Sequence, residues 1–177
     1  MASASAAANA DSGASTAVAA GSANEEGRQL CAEEKKAGEL VDHIVSAGRE
    51  VSSAIVERAW KGIAIDILFI GARVQGIEVD SNFTSPLVCG GHTALRGCVQ
   101  RLTVSASDDE VTISNIKTLL QHGADPRLQY AVLGNPQHQP DLCRLLKSDD
   151  FVAKVHRVGK TDTLQAVEQL FMGSKSS

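Results

Sequence analysis

Aromatic side chains are scarce: one Trp, one Tyr and four Phe in 177 residues. Hydrophobic residues still make up 43%, so a packed core is within reach, but it must be built from Leu, Ile, Val and Ala. Basic clusters are missing as well. The net charge is −4 and the isoelectric point is near 5.7, which excludes the cationic footprint of a nucleic-acid binder. Apolar runs are short. The strongest, Ile63 to Ile70, is interrupted by Asp66 and falls far below the roughly 20 residues that span a bilayer. The cysteines stand at 31, 89, 98 and 143 with no C-x-x-C spacing. They read as reduced, partly buried thiols of an intracellular protein. Gly-x-Gly-x-x-Gly and phosphate loops are absent, so no cofactor is expected.

What is present begins with an Ala/Ser-rich stretch. Residues 2 to 24 hold eleven Ala and five Ser, with no basic residue before Arg28. Nothing there is large and apolar enough to offset ordering entropy, so residues 1–27 are expected to form a disordered tail. Secretory and mitochondrial leaders need early positive charge. A plastid transit peptide fits the Ala/Ser bias, against Asp11 and the missing Arg. The compartment expected is cytoplasmic or nuclear, with plastid import as the rival.

Helical periodicity follows. Leu30, Ala37, Leu40, Val41, Ile44 and Val45 form an apolar stripe over residues 25 to 47, with Glu33, Glu34, Lys35 and Lys36 on the wet face and Gly48 as the stop. Residues 51 to 61 continue as helix with Ile55, Ala59 and Trp60 inward. Ile63 to Val74 suits a helix, with Ile63, Ile67 and Ile70 on one face, or a buried strand. Its Gly71-Ala72 ending favours the helix.

The clearest stretch is Ile113 to Pro126. Ile113, Ile116, Leu119 and Leu120 share a helix face. Gly123 can take the left-handed conformation past the helix end, and Pro126 biases Asp125 away from helix. Leu119-Leu120-Gln121-His122-Gly123-Ala124-Asp125 resembles the close of an ankyrin repeat. Gly91-His92-Thr93-Ala94-Leu95-Arg96-Gly97-Cys98 resembles the opening of its first helix, with Arg96 where the family carries His and Cys98 where it carries Ala. The match covers residues 91–126, and residues 51–74 resemble a second helix pair whose turn would be Gly71. Gly71 and Gly123 stand 52 positions apart, against a family period of about 33. The excess is expected in Gln75–Gly90 and in the polar segment Val104–Glu110.

The resemblance implies a mostly α fold: one domain over residues 28–172, an ankyrin-like helix-turn-helix solenoid with irregular loops, then a frayed end at 173–177. It implies a non-catalytic scaffold that binds another protein, not nucleic acid or membrane. Recognition would run through Arg73–Gly91, Thr93–Leu102 and Arg127–His138, with Arg73, Phe83, Arg96, Tyr130 and His138 as contact residues. Arg96, freed from the role of the family His, would face outward. Gly71, Gly123, Asp125 and Pro126 would be structural turn residues. Beyond the match, Tyr130–Pro140 reads as a loop and Asp141 as a helix cap over Leu142, Leu145 and Leu146. Phe151, Val152, Val155 and Val158 suggest a helix or strand, and Thr161 reads as the cap of a last helix.

Other chemistry is thin. Cys89-x-x-His92 has ligand-like spacing but no second pair, so no metal is expected. Ser105 and Ser107, upstream of Asp108, Asp109 and Glu110, are candidate phosphorylation sites. The competing fold is a small α/β enzyme or regulatory domain with residues 63–70 as a central strand.

Overall fold

The computed structural model describes residues 29–132, 135–138 and 140–174. The expected tail (1–27) lies outside them, as do 175–177 of the expected frayed end. The chain from Cys31 onward forms one compact unit, and it is mostly helical.

Helix α1 (Ala32–Ser46) opens with the Glu34 carboxylate accepting from the Cys31 backbone N–H at 3.1 Å. Glu34 also accepts from Arg73 at 3.4 Å and is buried. It therefore leaves the solvated face expected for it. Val45, expected inward, is 47% exposed. The inner stripe is Ala37, Gly38, Val41 and Ile44. Helix α2 (Val51–Lys61) ends on Gly62 at φ 71°, a backbone angle that favours glycine. It buries Ile55 and Ala59 as expected.

The next helix, α3, spans Asp66–Val74. Residues 63–70 are therefore not a strand, and the α/β alternative falls with them. Asn115 fixes where α3 starts: its Oδ1 accepts from Ile65 N–H at 3.1 Å and its Nδ2 donates to Ile63 C=O at 3.0 Å. Asn115 is 2% exposed, so both backbone groups are satisfied inside the protein, where an orphan would cost about 1–3 kcal/mol.

Gly71 is not a turn. It sits inside α3, and a Cβ there would lie 2.2 Å from the Ala37 carbonyl oxygen. The residue is glycine because α1 crosses α3 at that point, backbone against backbone.

After a long connection and a 3-10 turn at Cys89–Gly91, helix α4 (Ala94–Gln100) begins under a Thr93 cap. A second 3-10 turn, Arg101–Thr103, leads into the Val104–Asp108 loop. Helix α5 (Asp109–Gln121) starts on Asp108, whose carboxylate accepts from Glu110 N–H and Val111 N–H. It closes as expected: Gly123 has φ 87°, Gly123 N–H reaches Leu120 C=O, and Ala124 N–H reaches Leu119 C=O at 2.9 Å. This bond pair is the Schellman closure. Asp125 accepts from Arg127 N–H, and Pro126 is buried with its carbonyl accepting from Leu142 N–H at 2.8 Å.

The segment expected as a plain loop contains a small antiparallel hairpin, β1 (Ala131–Val132) with β2 (Asn135–His138). Helices α6 (Leu142–Leu145), α7 (Asp149–Arg157) and α8 (Thr161–Gly173) complete the unit. Asp141 caps α6 as expected, accepting from Arg144 N–H. Thr161 is not the cap of α8; that position belongs to Lys160, whose side chain turns inward.

Packing follows an alternate order. Helix α1 lies mainly on α3, and α2 on α4; α4 also packs on α5, and α5 on α8. The shared core includes Ile55, Ile65, Leu68, Leu95, Leu102, Ile116, Leu119, Val155 and Val167. Each large aliphatic buried this way stabilises by about 1.5–3 kcal/mol before entropy is counted. Helix α4 is central, with every residue from Ala94 to Val99 buried.

Candidate interaction surface

Two connections project from the helices. The first, Gln75–Gly91, is pinned at its base. Asp80 N–H donates to Ser52 Oγ at 3.0 Å, and Ser81 Oγ donates to His122 C=O at 2.9 Å. The Asn82 amide grips the closing turn of α5: Nδ2 donates to Gly123 C=O at 3.0 Å, and Oδ1 accepts from Asp125 N–H at 2.8 Å. Beyond this base the chain doubles back in a tight turn, Ser85 to Val88, where Val88 N–H returns to Ser85 C=O at 2.9 Å. Pro86 and Leu87 form its tip, and Leu87 is 95% exposed. Cys89, Gly90 and Gly91 then all take positive φ, 46°, 68° and 86°, and swing the chain into α4. Cys89 is the one non-glycine in that region among the described residues.

The second connection runs from Arg127 through the β1–β2 hairpin. Tyr130 anchors it. Its hydroxyl lies 3.3 Å from His92 Nδ1 and accepts from Thr93 N–H at 3.4 Å. The His92 ring stands edge-on to Tyr130 at 6.0 Å and tilted to Trp60 at 5.4 Å. Trp60 Nε1 donates to Thr93 C=O at 3.2 Å. Its ring covers Gly97, where a Cβ would come within 2.6 Å. Burial, and then the positive charge of Arg96, hold the His92 pKa below its usual value. The neutral ring therefore has one bare nitrogen. The Tyr130 hydroxyl can donate to His92 Nδ1 or accept from it, according to the ring's tautomer, so the two are joined in either case. Three rings thus tie α2, the entry to α4 and the hairpin base together.

Two expected contact residues belong to this framework instead of the surface. Tyr130 is half-buried in the ring cluster. Arg96 is 6% exposed, and its Nη1 donates to Pro140 C=O at 3.1 Å. It does not face outward, because the segment after the hairpin closes over α4. For the same reason Ala94–Val99 offers no recognition face. Phe83 is half-buried against the core and floors a groove beside α1. Arg73 is exposed on α3, where it pairs with Glu34, and is not gathered with the others. His138 lies in β2, with its side chain outside the described residues.

Comparison with protein families, with curated proteins and with solved structures yields no match.

Among the described residues, no three His, Cys, Asp or Glu side chains converge as a metal site would require. The Cys98 thiol is fully enclosed, and burial pushes its pKa to about 12. Ser105 is exposed in its loop. Ser107 is engaged: its single hydroxyl proton lies between Arg101 C=O at 2.7 Å and Val104 C=O at 2.8 Å, and its oxygen accepts from Lys160 Nζ at 2.6 Å. Lys160 is 5% exposed and also donates to the Asp109 carboxylate. Thr163 Oγ1 donates to the other Asp109 oxygen at 2.8 Å. The polar insertion is thereby stapled to α8.

Sequence reasoning missed Leu87, the ring cluster and Lys160. Leu87 left one signal, a Pro at the second position of a Ser-Pro-Leu-Val turn.

Proposed function

We propose that the protein is a non-catalytic, protein-binding scaffold of ankyrin-like stacked helix pairs, and that it engages its partner through the edge formed by its projecting connections. The observation that carries this reading is a pre-organised finger with an apolar tip. The base of Gln75–Gly91 is fixed by four side-chain hydrogen bonds to α2 and to the α5 closing turn, while Leu87 at its end is 95% exposed. A rigid loop that presents a leucine loses little entropy when it docks. The packing of α2 on α4, the first helices of the two ankyrin-like pairs, supports the solenoid part of the reading, because each repeat of a solenoid stacks on its neighbour.

The experiment is affinity capture from the source cell with the wild-type protein and Leu87→Asp side by side. The substitution should leave the melting temperature unchanged, since an exposed position costs within about 0.5 kcal/mol. It should remove a specific co-purifying protein, an anchor being worth more than about 1 kcal/mol. Partners identical in both captures would sink the finger reading.

A further inference from the structure

An open groove of about 550 Å³ lies between the α1–α2 corner and the first part of the 75–91 connection. That volume is within the roughly 300–1,000 Å³ of ligand-sized pockets. Its floor is apolar: Val51 from α2, Ile77 and Phe83 from the connection, and Val45 at the end of α1. Val45 is 47% exposed, whereas Val41 and Ile44 of the same helix are buried. The rim is acidic, carrying Glu50, Glu78 and Asp80, all exposed. Arg49 is the one basic residue lining the groove, and it is bound to Glu57 at 2.7 Å. The groove therefore presents three carboxylates around an apolar bed, with its single cation already paired.

We infer that this groove is a docking site for a segment of a partner protein carrying large aliphatic side chains flanked by Lys or Arg. The inference rests on the scaffold reading and names the chemistry of its partner. Charge complementarity selects the occupant. Cationic residues at the rim meet Glu50, Glu78 and Asp80, which steers approach and sets orientation. Leucine-sized side chains cover Val45, Ile77 and Phe83, and removing that apolar area from water provides the affinity. A phosphate backbone or an anionic lipid surface would be repelled by the same rim. The groove is also built to keep its shape. Asp80 N–H is held by Ser52 Oγ, and the Asp80 carboxylate accepts from Asn82 N–H at 2.8 Å, so the 77–83 wall is fixed before anything binds.

The test uses the full chain and a fluorescein-labelled peptide, Lys-Leu-Lys-Leu-Leu-Lys, followed by fluorescence anisotropy. Two companion peptides replace every Leu by Ser or every Lys by Glu. Wild-type protein should bind the Lys/Leu peptide saturably and more weakly as salt rises. The double variant Glu50→Lys, Glu78→Lys should bind at least about tenfold more weakly. Both residues are exposed and the Glu50 side chain makes no cap hydrogen bond to α2, so the variant should melt within a few degrees of the wild type, the small fall coming from a cation at the α2 N-terminus. Val45→Ser should weaken binding without changing the melt. Absence of binding to wild type overturns the proposal. So does equal binding by the double variant, which would place the peptide away from this rim, or by the Ser peptide, which would be charge attraction alone. The two readings separate cleanly. A captured partner indifferent to the double variant but lost with Leu87→Asp removes the groove and keeps the finger edge. A partner lost with the double variant and indifferent to Leu87→Asp does the reverse.

Discussion

Gly71→Ala is a severe test of how α1 and α3 are packed. In an open helix the change would help. Alanine is favoured over glycine by about 1 kcal/mol in a helix interior, and the α conformation at Gly71 suits it. Here a methyl group would lie 2.2 Å from Ala37 O, 2.7 Å from Ala37 C and 2.6 Å from Val41 Cγ2. Two of those atoms are backbone and cannot swing away. Helix α1 would have to lift from α3 along the Ala37–Val41 seam, the most extensive helix–helix contact in the fold. Overpacking of this kind costs about 1–3 kcal/mol and sometimes more. Because the clash is with main chain, the upper part of that range applies, and the propensity gain offsets only part of it. Net destabilisation of about 1–2 kcal/mol is expected, a fall in melting temperature of roughly 2–4 °C per kcal/mol for a domain of this size. Urea denaturation followed by far-ultraviolet circular dichroism gives the number. Gly173→Ala is the control. Gly173 is also helical, and a Cβ there would meet nothing within 4 Å, so that variant should be neutral or slightly stabilised. If Gly71→Ala behaves like Gly173→Ala, the backbone crossing of α1 and α3 is wrong.

Three further outcomes are expected. Gly123→Val should destabilise by about 1–3 kcal/mol in urea, through backbone strain at φ 87° and not through collision, since a Cβ there also has open space; an unchanged midpoint would refute the closing turn. For Asp109, partial burial raises the pKa, but the Lys160 and Thr163 hydrogen bonds and the Lys160 charge outweigh it and hold the group below its usual range. Its stabilising contribution is therefore present above the unfolded value near 3.9 and is lost as pH falls through the folded value, so Lys160→Met should flatten the acid limb of the stability–pH curve relative to wild type, and an unaltered limb would count against the staple. With its pKa near 12 and its side chain enclosed, Cys98 should resist alkylation at mildly alkaline pH until denaturant is added, while exposed Cys31 is labelled at once; peptide mapping by mass spectrometry decides it.

What the sequence made legible was local. Helices with one apolar stripe, the closing turn at Gly123 and the Asp141 cap all depend on residues within a few positions of one another. Gly71 shows the limit of that reading. A glycine after an apolar run marks either a left-handed turn or a place where another backbone comes close, and the chain carries the same letter for both. Only Ala37, far upstream, distinguishes them. Arg96 failed for a related reason. Its place where the ankyrin family carries His suggests an outward side chain, but it reaches the Pro140 carbonyl 44 positions away. The Lys160–Ser107 contact spans 53 positions and the Asn115 clamp on Ile63 spans 52. None of these leaves a pattern in a short window.

The same long-range contacts explain why the candidate surface lies on the connections and not on the helix first expected to carry it. Helix α4 is covered by Trp60 over Gly97, by α5, and by the chain near Pro140 that Arg96 holds. A helix closed on all sides stabilises the fold but cannot meet a partner. The residues that hold the connections are correspondingly buried or paired: Asn82 on the α5 turn, Ser52 on Asp80, His92 on Tyr130. What they leave outside are Leu87 at a tip and the acidic rim around Val45 and Phe83. Buried polar contacts fix the loops, and the loops in turn expose apolar area that the core did not take up. On the scaffold reading, substitutions at Asn82 or Tyr130 should therefore weaken binding and folding together, whereas substitutions at Leu87 or Glu78 should separate the two.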